Sequence, residues 1–99
     1  MITKHAGPTP EIVTVTFEFP ALVRAEVVHL VGDFNGWDRR SHPLTCLEDG
    51  EGWRISLELE RDRTYQFRYL VDGRSWHNDW NADRYVRNPF GGDNSVLDT

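Results

Sequence analysis

The sequence predicts an all-β sandwich, and three observations lead there. Apolar residues recur at every second position in Ile12–Phe19, Trp53–Leu59 and Thr64–Val71, the period of a strand with one buried face. These stretches are short and separated by Gly, Pro, Asn and Asp clusters, the spacing of a sandwich rather than of alternating strands and helices. Nowhere do capping residues and a 3.6-residue period coincide over ten residues, so no helix is expected. Ninety-nine residues suit a single domain.

Taken in order, residues 1–11 carry two prolines and a glycine without periodicity and are expected to be a flexible tail, leaving 12–99 as the domain. Ile12–Phe19 places Val13, Val15, Phe17 and Phe19 on one side and ends at Pro20. Ala21–Glu26 is a connector. A second strand opens at Val27 and breaks into turn chemistry at Gly32-Asp33 and Asn35-Gly36, delivering Trp37 just past its end. After a polar loop, a short apolar piece spans Leu44–Leu47, and Glu48–Gly52 is a turn. Trp53, Ile55, Leu57 and Leu59 point inward on the next strand; Tyr65, Phe67, Tyr69 and Val71 do so on the one after, opposite Gln66, Arg68 and Leu70. Asp72-Gly73 is a hairpin signal, with Ser75-Trp76-His77 as the return strand. Asn78–Asn88 reads as a long loop and Ser95–Leu97 as the last strand.

Composition narrows the function. A net charge of −5 argues against a nucleic-acid backbone or an anionic membrane surface, which both need clustered Lys and Arg. No apolar run approaches the ~18 residues of a membrane span, and Met1–His5 lacks the pattern of a secretion signal; a cytoplasmic setting fits. The single cysteine, Cys46, excludes an internal disulfide and suits a small buried hydrophobe. The His residues show no zinc spacing and Asp79–Asp83 lacks the ligand pattern of a calcium loop, so no metal or cofactor is expected. The acidic pairs Glu48 with Asp49 and Asp79 with Asp83 sit in polar turns, where solvated carboxylates are the default, and no nucleophile-elbow context accompanies the Ser and His residues. Binding is the expected role, catalysis is not.

Four Trp, three Tyr and five Phe are many for so short a chain. Trp37, Trp76, Trp80, Tyr85 and Phe90 fall in or beside loops, where an exposed ring can stack on the apolar face of a sugar while Asn, Asp, Arg and Lys meet its hydroxyls. On local pattern alone Trp37 and Trp76 serve equally as platform or as core. Trp80 and Tyr85 read as packing of the long loop, and Arg68 as a solvated charge on a strand face.

Three pieces in fixed order shift that balance: Val28-His29-Leu30-Val31-Gly32-Asp33-Phe34-Asn35-Gly36-Trp37, Tyr65-Gln66-Phe67-Arg68-Tyr69-Leu70-Val71-Asp72-Gly73, and Gly91-Gly92-Asp93-Asn94-Ser95-Val96-Leu97. Over roughly residues 12–98 the chain resembles the glycogen-binding module of the AMP-activated protein kinase beta subunit and the N-terminal early-set domain of isoamylases, pullulanases and glycogen branching enzymes. The resemblance implies an immunoglobulin-like β-sandwich that binds α-1,4-linked glucans. It implies Trp37 as a stacking platform, Arg68 as the basic residue on sugar hydroxyls, Asn94 as the binding asparagine and Phe90 as the apolar residue against the ring. The second platform is Trp76 if the turn after Val71 is one residue longer than usual, which also aligns Asp79 with the family's acidic residue. Without that slip Ser75 takes the position and Trp76 faces away. Arg61-Asp62-Arg63 replaces the family's glycine-containing turn, Trp80 stands where proline is common, and Arg68 replaces a frequent lysine. An α-glucan is the implied partner, with a protein of glycogen metabolism as a further candidate. The alternative within the same resemblance is a packing or protein-interaction domain, associated with glucan-metabolising glycosidases, that has no sugar binding of its own.

Overall fold

A computed structural model of the chain describes residues 1–21, 23–48 and 50–99; Leu22 of the connector and Asp49 of the first acidic pair lie outside the described residues. Nine strands are described: β1 (Ile2–Ala6), β2 (Ile12–Pro20), β3 (Val28–Gly32), β4 (Thr45–Cys46), β5 (Gly52–Glu60), β6 (Thr64–Val71), β7 (Ser75–His77), β8 (Arg84–Arg87) and β9 (Asp93–Asp98). One sheet runs β1-β2-β5-β4; the other runs β3-β6-β9-β8, with β7 also paired to β6. Every pairing is antiparallel. The result is an immunoglobulin-like β-sandwich, and among the described residues the only helical segment is a 3-10 turn at Asp33–Asn35. No helix of the described residues is long and apolar enough to cross a membrane.

The alternating positions build the core as their period requires. Val13, Val15, Phe17 and Phe19 of β2 meet Val28 and Leu30 of β3, Phe67, Tyr69 and Val71 of β6, and Leu97 of β9. Phe17 meets Phe67 edge-on with centroids 5.2 Å apart, and Phe19 meets Tyr69 at 5.0 Å, both within the favourable range for aromatic pairs. Tyr69 is buried and donates its hydroxyl to Asp79 at 2.7 Å. Burial, then the charge of Asp79, push the Tyr69 phenol well above its ordinary pKa, so it stays a donor.

Four expectations need correction. Residues 2–6 are not a loose tail: Ile2–Ala6 pairs with Phe17–Val13 as an edge strand. Four of its five residues are exposed, so backbone pairing rather than a buried face holds it, and a hydrophobic period has nothing to show. The Asn78–Asn88 loop contains β8, another edge strand with little buried surface. Asp79 is 2% exposed rather than solvated; besides Tyr69 it accepts from the Met1 ammonium at 2.6 Å and from the Asn81 N–H at 2.8 Å. Cys46 is exposed, because it ends a two-residue strand at the margin of its sheet while Leu44 takes the core position.

Two carboxylates tie turns to the sandwich. Asp72 accepts from Val27 N–H at 3.0 Å and Glu26 N–H at 2.8 Å, and these bonds, Val27 first, hold its pKa below the ordinary carboxylate value. Asp98 is lowered by its hydrogen bond from Arg84, then by that from Thr64. A lowered folded pKa contributes stability above the unfolded value near ~3.9 and loses it as pH falls through the folded value. Thermal scans are therefore expected to show a Tm insensitive to these groups from pH 7 to 5 and a fall below about pH 4, shallower in Asp72→Asn than in the parent. A second expectation concerns Gly32: a Cβ there would lie 2.5 Å from Gln66 O and 2.7 Å from Phe67 Cβ. Gly32→Ala should cost about 1–3 kcal/mol, read as a Tm drop of roughly 4–8 °C per kcal/mol.

Candidate functional site

The site is assembled where β3 runs out. Val28–Gly32 pairs with β6 until Gly32 meets Phe67. The chain then takes the 3-10 turn, and Phe34 drops its ring among Phe17, Phe67 and Tyr65, which anchors the turn to the core. Asn35 fastens it from the other side: its Oδ1 accepts from Gly32 N–H at 3.1 Å and its Nδ2 donates to Leu30 O at 3.0 Å. Gly36 closes the turn at φ 63° and Trp37 follows at φ 62°. The left-handed region costs a residue with a Cβ about 1–2 kcal/mol. Trp37 is held there by its N–H to Gly32 O at 2.9 Å and its indole N–H to Asp33 Oδ1 at 2.9 Å. Strain of this kind persists where the surroundings over-determine it, a feature of functional sites.

The remaining residues come from the outward face of the β6 sheet. β6 alternates, so Phe67 and Tyr69 face the core while Gln66 and Arg68 face out. The turn Asp72-Gly73-Arg74 puts three residues between paired Val71 and Ser75, with Asp72 and Gly73 both at positive φ. That is the longer turn, and Trp76 consequently pairs with Leu70 on the outward face. Trp76 and not Ser75 lines the cleft with Arg68.

On the third side, Asn88 shapes the turn that carries Phe90. Its Oδ1 accepts from Phe90 N–H at 2.9 Å and Gly92 N–H at 3.2 Å, and its Nδ2 donates to Asn94 Oδ1 at 3.2 Å. Asn94 is 8% exposed and donates in turn to Gln66 Oε1 at 3.0 Å. Gln66 N–H donates to Asp33 Oδ2 at 2.7 Å. One run of hydrogen bonds thus crosses the floor, from the Trp37 indole through Asp33, Gln66, Asn94 and Asn88 to the Phe90 backbone. Phe90 itself is 94% exposed.

Trp37, Arg68, Trp76, Phe90 and Asn94, the five residues singled out from the sequence, all line one open cleft of about 780 Å³. Asp33, Arg39, Gln66 and Asn88 line it too and were not singled out. Gln66 shares the outward face of Arg68, and Asn88 precedes Pro-Phe-Gly-Gly as a turn-forming residue, so both left a sequence signal. Arg39 left none: a loop arginine gets its place from the tertiary structure, here 5.5 Å from the centre of the Trp76 ring, beside Arg68 at 5.6 Å. Trp80, at 62% exposed, and Tyr85 lie outside the cleft; Tyr85 is tied down by its hydroxyl bond to Asp79 O, whereas Trp80 does not serve as buried packing. An aromatic-walled cleft with a few convergent polar groups is the usual form of a small-ligand site. The pair of indoles, the amides and the guanidiniums suit a ligand with apolar faces and a hydroxyl rim.

Known proteins resemble this chain in sequence. Residues 11–91 match the family described as carbohydrate-binding module 48, the isoamylase N-terminal domain. The 1,4-alpha-glucan branching enzyme GlgB of Thiobacillus denitrificans is 36% identical over 72 residues, 72% of this chain and 9% of that enzyme. The GlgB of Aquifex aeolicus is 36% identical over 56 residues, 56% of this chain and 9% of the enzyme. That of Photobacterium profundum is 40% identical over 43 residues, 43% of this chain and 6% of the enzyme. The matched stretch is thus a small part of each of these relatives. Because the family match covers residues 11–91 of the 99, the chain belongs to the carbohydrate-binding module 48 family.

Proposed function

We propose that this protein binds α-1,4-linked glucans, such as glycogen, starch or maltodextrin, and performs no reaction on them. The observation that carries the reading is the convergence of Trp37 and Trp76 with Arg68, Asn94 and Phe90 on one cleft. Its indoles would stack on sugar faces while Arg68 and the Asn94 amide meet hydroxyls. The name of the relatives, 1,4-alpha-glucan branching enzyme, supports the choice of linkage. A second reading, a packing or protein-interaction domain without sugar binding, draws on Trp80, a large aromatic exposed outside the cleft.

An amide-shift titration with maltoheptaose separates the two readings. Saturable shifts at the Trp37 and Trp76 indole N–H signals, with Arg68 and Asn94 responding, are expected; silence up to millimolar sugar would favour the packing domain. Trp37→Ala and Trp76→Ala should each weaken binding by about 1–3 kcal/mol, by analogy with bases stacked on aromatics, with the thermal transition retained.

Asp33 and Asn88 also line the cleft but should matter less and differently, because their polar atoms are already engaged in holding the Trp37 indole and the Phe90 turn. Asp33→Ala releases the Trp37 indole and Asn88→Ala the Phe90 turn. Each is expected to cost binding roughly 0.5–1.5 kcal/mol, the ordering cost of one side chain. Calorimetry with maltoheptaose reads this, and parent-like affinity in Asn88→Ala would remove the Phe90 turn from the site.

A further inference from the structure

The cleft gathers two arginines and compensates neither. Arg39 reaches it from the loop after Trp37 and Arg68 from β6, and both guanidiniums lie over the Trp76 indole, 5.5 and 5.6 Å from its centroid. Among the described residues neither forms an ion pair, and Arg68 Nε is buried without a hydrogen-bond partner. The one carboxylate that lines the cleft among the described residues is Asp33. Its two oxygens are already taken by Gln66 N–H at 2.7 Å and by the Trp37 indole at 2.9 Å. The carboxylate beside Arg39 in the chain, Asp38, turns back onto its own loop and accepts from Arg40 and Ser41 N–H. A chain of net charge −5 therefore presents a cationic cleft.

A neutral sugar fits such a cleft incompletely. To stack on Trp76 it competes with cations already attracted to that ring, and hydroxyls compensate a partly desolvated guanidinium less well than an anion does. A phosphate monoester carries about −1.5 to −2 charges near neutral pH and three strong acceptor oxygens. The guanidinium fork matches those oxygens in a bidentate way, and a guanidinium over an indole still has its N–H donors to offer.

We propose that the cleft prefers an α-glucan bearing a phosphate monoester over the neutral glucan, with Arg39 and Arg68 taking the phosphate while the indoles hold the sugar. This rests on the glucan reading above, and the experiment keeps the two apart. Calorimetric titrations would compare maltoheptaose with maltoheptaose carrying one glucose 6-phosphate, at low and high salt, on the parent and on Arg39→Gln. Arg39 has no hydrogen bond or ion pair to lose among the described residues, and a thermal scan checks that the variant is folded.

The expected result is at least fivefold tighter binding of the phosphorylated sugar at low salt. That ratio should shrink in high salt and fall toward one in Arg39→Gln. Equal affinity for both sugars in the parent would overturn the proposal and leave the glucan reading standing. A preference that survives unchanged in Arg39→Gln, or that ignores salt, would overturn it as well. Binding of the phosphorylated sugar alone would support the proposal and correct the neutral reading, whereas no binding of either sugar would sink both.

Discussion

The alternation of β6 is the constraint on which the rest of the molecule depends. Thr64–Val71 pairs with β3 along one edge and with β9 and β7 along the other, so it is the centre of its sheet. Its inward residues, Phe67, Tyr69 and Val71, are among the most buried of the core. Its outward residues Gln66 and Arg68 lie on the floor of the cleft. A slip of one residue would exchange the two sets, placing a guanidinium in the core and aromatic rings on the surface. The buried aromatic contacts of Phe67 and Tyr69 with Phe17 and Phe19 make that exchange prohibitive. The energy that closes the sandwich is therefore also what aims the site.

From β6 the order spreads by hydrogen bonds rather than by packing. The three walls of the cleft come from parts of the chain far apart in sequence: the turn after β3, the hairpin after β6 and the turn before β9. Gln66 joins two of them, donating its backbone N–H to Asp33 and accepting the Asn94 amide on its side chain. Such a network holds aromatic residues that burial fixes only in part: Trp37 and Trp76 are half-buried and Phe90 is exposed. Trp37 shows the consequence, with a left-handed backbone and an indole tethered through its N–H.

The edge strands β1 and β8 show how little of a strand's stability must be visible in its side chains. β1 and β8 expose most of their residues, yet Lys4 pairs with Asp83 at 2.7 Å and the Met1 ammonium with buried Asp79 at 2.6 Å. Asp79 in turn binds Tyr69 of β6. An acidic residue in a polar loop thus ends as an internal junction between an edge strand and the core, because three donors converge on it and offset its desolvation.

The sequence by itself determined the sandwich and its alternating strands, because these follow from local period and from turn chemistry that only a few residue types satisfy. The candidate cleft residues Trp37, Arg68, Phe90 and Asn94 were legible through the resemblance of three motifs to a known family, and Trp76 only as one of two alternatives. The two-fold period decides which side of β6 faces out before any partner strand is known, and Gly32 through Trp37 can hardly fold except as a tight turn. The tertiary structure alone decided what has no local signature. It turned residues 2–6 and 84–87 into edge strands through backbone pairing, buried Asp79 and exposed Cys46. It chose Trp76 over Ser75 through one extra turn residue, and carried Arg39 from a polar loop to the face of an indole. Backbone pairing partners, burial of a lone carboxylate and the approach of a loop side chain all depend on which distant segments come together. That information lies in the packed sheets and in no single stretch of the chain.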